Sequence, residues 1–148
     1  MIGLINPYIS NPYYADMARG MTDEALRFGY NAIISNTDQM HSQELSAIQS
    51  MAEYNVSGLI QAGVTNIKPK SQDIFKALSC AFITVENYTK GTEYCVYVDN
   101  YTGSYKAVTH LFSRVHKQTA YITGFGSLHA PENERLRVLS LPWWSDIR

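Results

Sequence analysis

Short apolar runs alternate with amphipathic helical stretches along this chain, and that alternation restricts its fold more than any other feature. Ile2-Gly3-Leu4-Ile5 reads as a first strand and leads into the turn-rich Asn6 to Ser10. A helix then starts with Asn11 as N-cap and Pro12 at the first helical position, where a missing N–H costs nothing. Tyr14, Ala18, Met21, Ala25 and Phe28 recur at steps of four and three, which predicts one buried stripe, and Gly29 supplies a left-handed stop. Further strands are expected at Tyr30 to Ser35, Val56 to Gln61, Ala81 to Val85, Tyr94 to Val98 and Thr119 to Thr123. Helices are expected from about Ser42 to Tyr54, with Leu45, Ile48, Met51 and Ala52 inward, and over Gln72 to Leu78. Another follows the cap Asp99 and buries Val108, Leu111, Phe112 and Val115, and a last one starts near Pro131. Strands separated by helices at this spacing predict right-handed βαβ units: an α/β fold with an open parallel sheet and helices on both faces.

Ligands of open parallel sheets bind beyond the carboxyl ends of the strands. That rule selects Asn6 to Asn11, Ser35 to Gln39, Ala62 to Asn66, Glu86 to Tyr88 and the turn at Asp99. The chemistry available in those loops is narrow. No Gly-x-x-x-x-Gly-Lys or Gly-x-Ser-x-Gly occurs, and Gly124-Phe125-Gly126 lacks the third glycine of a dinucleotide fingerprint. His41, His110, His116 and His129 are scattered rather than paired for a metal, so no catalytic residue, metal or cofactor is expected, and the chain is not expected to be an enzyme. Asp38 with Glu44, or Asp99 with Glu86, could pair in space, but surface charge is the simpler reading.

Partners are constrained in the same way. A net charge of −1 provides no field for nucleic acid or an anionic membrane, and no DNA-reading motif occurs. No apolar run approaches the ~20 residues of a membrane span, and the start lacks the pattern of an export signal, which predicts a cytoplasmic protein. Cys80 and Cys95 lie in apolar strand-like surroundings and are expected to be buried reduced thiols. An apolar share of 45% and a charged share of 17% over 148 residues suit one compact domain with a core.

The densest chemical signal is Asn6-Pro7-Tyr8-Ile9-Ser10-Asn11-Pro12-Tyr13-Tyr14. Aromatic faces beside amides and hydroxyls offer a stacking surface with orienting hydrogen bonds, as a sugar or nucleobase site requires. Tyr8, Asn11, Tyr13 and Tyr14 are therefore candidate binding residues, although Tyr14 also fits the inward stripe of its helix.

Ile2 to Ile5, Ile9 to Ala15 and Ala18-Arg19-Gly20 closely resemble the start of the sensor core of LacI/GalR-type transcription regulators. The likeness continues through Gly29 to Asn31, Ser35 to Asp38, Val56 to Ile60, Val98 to Gly103 and Ala120 to Gly124, and Glu134 to Arg137 resembles the opening of the second lobe. The resemblance implies two Rossmann-like lobes that close over a sugar or nucleobase-like effector. It places Tyr13 and Tyr14 among effector-facing aromatics, Asp99 at an acidic position near the effector, and Arg135 as a cationic fork from the second lobe. On this view residues 1–117 form the N-terminal lobe, while 118–148 form a stub of an incomplete second lobe with a divergent tail.

Several departures accompany the likeness. The family's N-terminal helix-turn-helix is not found before Ile2, Val115 and Val138 stand where glycine is usual, and Leu141 to Arg148 matches nothing in the pattern. One lobe is one wall, so weak effector binding is expected, with DNA bound only through a domain outside these residues. Exposed apolar surface would favour a homodimer. A sugar-importer binding protein and a truncated dimerisation module are the alternatives.

Overall fold

The computed structural model describes residues 1–63, 74, 78, 80–86, 94–114, 119–122 and 130–140. They divide into two compact units, residues 1–97 and 98–148. The first contains β1 (Ile2–Asn6), α1 (Pro12–Arg27), β2 (Ala32–Asn36), α2 (His41–Glu53), β3 (Gly58–Ala62), β4 (Ala81–Val85) and β5 (Cys95–Val96). The five strands form one sheet in the order β2-β1-β3-β4-β5, and every adjacent pair is parallel. The reversal of strand order beside β1 opens a crevice at the carboxyl edge, where β1 and β3 lead their loops in opposite directions.

Helix α1 begins and ends as its sequence dictates. The Asn11 side chain accepts from the Tyr13 amide at 3.0 Å, with Pro12 following at the first helical position. At the other end Gly29 takes φ +77, the Tyr30 amide reaches Ala25 O and the Gly29 amide reaches Leu26 O, which is a Schellman closure. Asn11→Ala should therefore lower the unfolding free energy by about 1 kcal/mol, and urea denaturation followed by circular dichroism measures it. An unchanged midpoint would mean that Pro12 and tertiary packing alone set the start of the helix.

Side chains on the strands alternate between two covered faces. Ile5 and Leu59 join Ala47, Ile48, Met51 and Val56 in the core on the α2 face, with Ile33 and Phe82 packed against it. On β1, Gly3 points the same way, because a methyl group there would meet Met51 Sδ at 2.8 Å and Leu59 Cδ1 at 2.9 Å. On the opposite face Ile2, Met21, Ala25, Ile60 and Ile83 line an apolar groove of about 600 Å³ beside α1.

The second unit contains α3 (Asn100–Ser113), α4 (Ala130–Arg137) and a 3₁₀ turn over Val138–Ser140. Helices α3 and α4 pack on each other, and Val138 is fully buried. Valine where the related pattern has glycine is thus a core residue here.

Several expectations are corrected. Phe28 is 71% exposed, because the helix ends at Arg27 and the Schellman turn swings the next residue off the inward stripe. On α2 the buried line is Glu44, Ala47, Ile48 and Met51, which leaves Leu45 half-buried and Ala52 exposed at its flank. Tyr30 and Asn31 belong to the turn after α1, so β2 starts two residues later than expected. Val56 and Ser57 precede β3 in the same way, and β5 is cut to the two residues that pair with Thr84 and Val85. Leu111 is exposed and Phe112 half-buried, while Val108 is buried as expected.

Thr119 to Ile122 are not in a strand, and Ile122 is 95% exposed. A strand requires a partner ladder, and no described segment of residues 98–148 supplies one. Cys80 and Cys95 form no disulfide and are half-buried rather than buried: Cys80 immediately precedes β4, and Cys95 opens the edge strand β5. The expected helix over Gln72 to Leu78 falls mostly outside the described residues, as do Val115, Thr123 and the tail from Leu141.

Candidate functional site

Burying a polar side chain is unfavourable unless it is hydrogen-bonded, so where such groups collect is informative. Among the described residues the buried polar side chains are Asn6, Thr37, Glu44, Gln61 and Thr84. Asn6 closes β1, Thr37 follows β2, Gln61 and Thr84 are the penultimate residues of β3 and β4, and Glu44 lies in the first turn of α2. All five line the carboxyl edge of the sheet. The amino ends of the same strands carry apolar residues, so packing does not explain the asymmetry.

The loops above this edge are held by side-chain amides. Asn6 accepts from the Tyr8 amide at 3.1 Å and donates to Tyr14 O at 3.0 Å, which ties both ends of the β1–α1 loop to one buried group. From the neighbouring loop, Asn36 accepts from the Ile9 amide at 2.9 Å and donates to Asp38. The Gln39 amide also donates to Pro7 O at 3.0 Å, and Asp38 and Gln39 both take positive φ to make that turn. The two loops are therefore one cross-linked surface.

On that surface the structure brings together the sequence-predicted Tyr8, Asn11, Tyr13 and Tyr14. Tyr8 and Tyr13 are 46% and 51% exposed, and each presents a ring to solvent. Tyr13 and Tyr14 meet edge-to-face with ring centroids 5.2 Å apart. Tyr14 is half-buried, and its hydroxyl titrates above the ordinary tyrosine value because burial and the negative charge of Glu86 both disfavour the phenolate. Asn11 spends its side chain on the helix cap, so its contribution is to orient Tyr13.

Asp99 and Arg135 belong to the second unit. The Asp99 carboxylate caps α3 by accepting from the Thr102 amide at 2.9 Å, and those bonds hold its pKa below the ordinary value. Arg135 Nε donates to Asn100 Oδ1 at 2.7 Å, and Ser104 Oγ donates to Arg135 O at 3.0 Å. The arginine thus lies one residue from Asp99 along α3, across the α3–α4 contact. A carboxyl whose folded pKa is depressed stabilises the fold above its unfolded value and loses that contribution as pH falls through the folded value. Protection of the Thr102 amide, its exchange rate divided into the intrinsic rate at each pH, should accordingly hold steady at neutral pH and fall only as the pH drops below about 4. Hydrogen exchange read by NMR checks this, and a loss of protection that begins near neutrality would contradict the cap.

Sequence reasoning selected the loops at the strand ends but not Asn36, Gly63 or Glu86 within them as binding residues. Asn36 and Gly63 touch the tyrosine loop only after β2 and β3 are placed beside β1, and Glu86 acts on Tyr14 from the end of β4. The usable signal was the strand-end rule itself, with polar residues ending otherwise apolar strands. Among the described residues no three His, Cys, Asp or Glu side chains gather as a metal site, and no helix is long and apolar enough to cross a membrane.

Residues 1–136 match the family model described as periplasmic binding proteins and sugar binding domain of the LacI family. Catabolite control protein A of Priestia megaterium is 29% identical over 137 residues, covering 93% of this chain and 41% of that protein. The chain therefore spans about two fifths of that relative's length. The crystal structure of transcription regulator CcpA of Lactococcus lactis superposes with a TM-score of 0.82 at 25% identity, over 99% of this chain and 54% of that one. A periplasmic binding protein/LacI transcriptional regulator from Alkaliphilus metalliredigens, complexed with D-xylulofuranose, gives a TM-score of 0.79 at 25% identity over 93% and 50%.

Proposed function

Because this chain belongs to the family of periplasmic binding proteins and LacI-type sugar-binding domains, we propose that it is part of the effector-sensing core of a transcriptional repressor. In this reading the effector is a sugar or a nucleobase-like molecule, and the tyrosine loop is one wall of its site. The observation that carries the proposal is the convergence of Tyr8, Tyr13 and Tyr14 above the buried polar edge of the sheet, with Glu86 adding an acceptor. Ring faces stack on the C–H face of a sugar, and amide and carboxylate groups orient its hydroxyls. D-xylulofuranose in the related Alkaliphilus structure supports the sugar class.

Asp99, as an acceptor, and Arg135, as a fork of donors, are the second unit's candidate effector groups. Residues 118–148 are then the beginning of a second lobe, and residues 1–117 the first. One lobe leaves much of a ligand in water, whereas good small-molecule sites bury ~70–90% of it, so binding by these 148 residues is weak. The regulator reading is preferred over an importer's binding protein on the names of the relatives. DNA contact is assigned to a part of the whole protein outside this sequence, which carries no DNA-reading motif.

Exposed Leu26, Phe28 and Tyr30 beside the apolar groove favour a homodimer, and a purely monomeric sedimentation profile at high concentration would exclude it. The class of effector is tested by tyrosine fluorescence during titration with D-glucose, D-ribose, D-xylulose and adenosine. Quenching by the sugars or by adenosine selects the class, and quenching that survives removal of both Tyr8 and Tyr13 would overturn the site.

A further inference from the structure

We infer that Gly63 is a positioning residue: the missing side chain at the end of β3 is what seats Tyr14 as a fixed wall. The inference deepens the effector reading and rests on it for its consequence, though not for its geometry. A methyl group on Gly63 would lie 2.5 Å from both Cε1 and Oη of Tyr14 and 2.7 Å from its Cζ. Carbon and oxygen do not approach so closely without bonding, so any side chain at Gly63 and the seated ring exclude each other.

The backbone on neither side is free to give way. The Gly63 amide donates to Val85 O at 2.9 Å, which continues the β3–β4 ladder one residue past the strand and fixes the position of its Cα. Gly63 also takes φ +53, which glycine adopts at no steric cost. On the other side, the buried Asn6 amide holds Tyr14 O at 3.0 Å, and the Asn11 cap fixes the first turn of α1. The only soft coordinate left is rotation of the Tyr14 side chain, so a methyl group at Gly63 drives the ring out of its seat. The ring would then leave its edge contact with Tyr13 and its place near Glu86, and the tyrosine wall would lose its rigid member.

Substituting Gly63 has two separable effects. The left-handed backbone is unfavourable for alanine whatever surrounds it, but the collision exists only while Tyr14 is present. A double-mutant cycle on the 148-residue chain separates them: the parent, Gly63→Ala, Tyr14→Ala and the double variant, each unfolded in urea. The increase in the unfolding equilibrium constant caused by Gly63→Ala should shrink by about tenfold or more when Tyr14 is alanine. If Gly63→Ala alone does not fold, recovery of a cooperative transition in the double variant is the expected result. Equal effects in the two backgrounds, or a double variant that also fails to fold, overturn the inference. Titration with D-glucose and D-ribose separates it from the effector reading. Coupling in the cycle without sugar binding by the parent counts against the effector site alone. Sugar binding by the parent with additive effects in the cycle counts against the Gly63 seat alone.

Discussion

Replacing Ile48 by alanine should remove a large share of the stability of the first unit. Ile48 is fully buried at the centre of α2 and belongs to the cluster formed with Ile5, Ala47, Met51, Val56 and Leu59. Removing three carbon atoms there forfeits their transfer free energy and leaves a cavity that the sheet above it cannot close, because Gly3 already brings β1 against Met51. The expected loss is about 2–5 kcal/mol, set against a total of roughly 5–15 kcal/mol for an ordinary domain. Urea denaturation should show either a large fall in midpoint or the loss of a cooperative transition. A fall of less than about 1 kcal/mol would mean that α2 is not the principal lid of this sheet.

Tyr14→Ala should abolish the measurable sugar response of the chain, while Tyr14→Phe should retain a reduced one. On the proposed reading the ring is the stacking face of the site; it sits against Gly63, and its hydroxyl stands in the field of Glu86. Losing the whole ring from a site with one wall is expected to lower affinity by at least about tenfold, or 1.4 kcal/mol. Losing only the hydroxyl removes one polar contact, a smaller change. Equal responses from the parent and Tyr14→Ala, with both folded by circular dichroism, would place the effector elsewhere.

These two residues mark what could be read from the sequence. Ile48 was legible because helical periodicity is local: four residues always return to the same face. The same reasoning misplaced Phe28 and Ala52, since periodicity cannot tell where a helix stops or how wide its covered stripe is. Asn11-Pro12 and Gly29 announced the ends of α1 through capping chemistry that involves only near neighbours. The strand at Thr119 to Ile122 failed for the opposite reason, because a strand exists only through a partner that its own residues do not encode.

The site divides along the same line. Tyr8, Tyr13 and Tyr14 are consecutive enough to be seen as a cluster. Their supports come from three other segments: Asn36 clamps Ile9, Gly63 receives Tyr14 and Glu86 charges its surroundings. Those contacts span from 27 to 72 positions in the chain and become neighbours only through the parallel register of β1 with β2 and β3. The strand-end rule pointed to these loops but could not choose residues inside them.

The central claim is that these residues provide one wall of a sugar site at the carboxyl edge of the sheet. The most direct measurement is an NMR titration of the isotope-labelled chain with D-glucose, D-ribose and D-xylulose, following every backbone amide. Within the first unit the account predicts fast-exchange shifts confined to Tyr8 through Tyr14, Asn36, Gly63 and Glu86, with a dissociation constant of about 1 mM or weaker for at least one sugar. A tight stoichiometric complex would contradict the single wall, and shifts centred away from the strand ends would contradict the site.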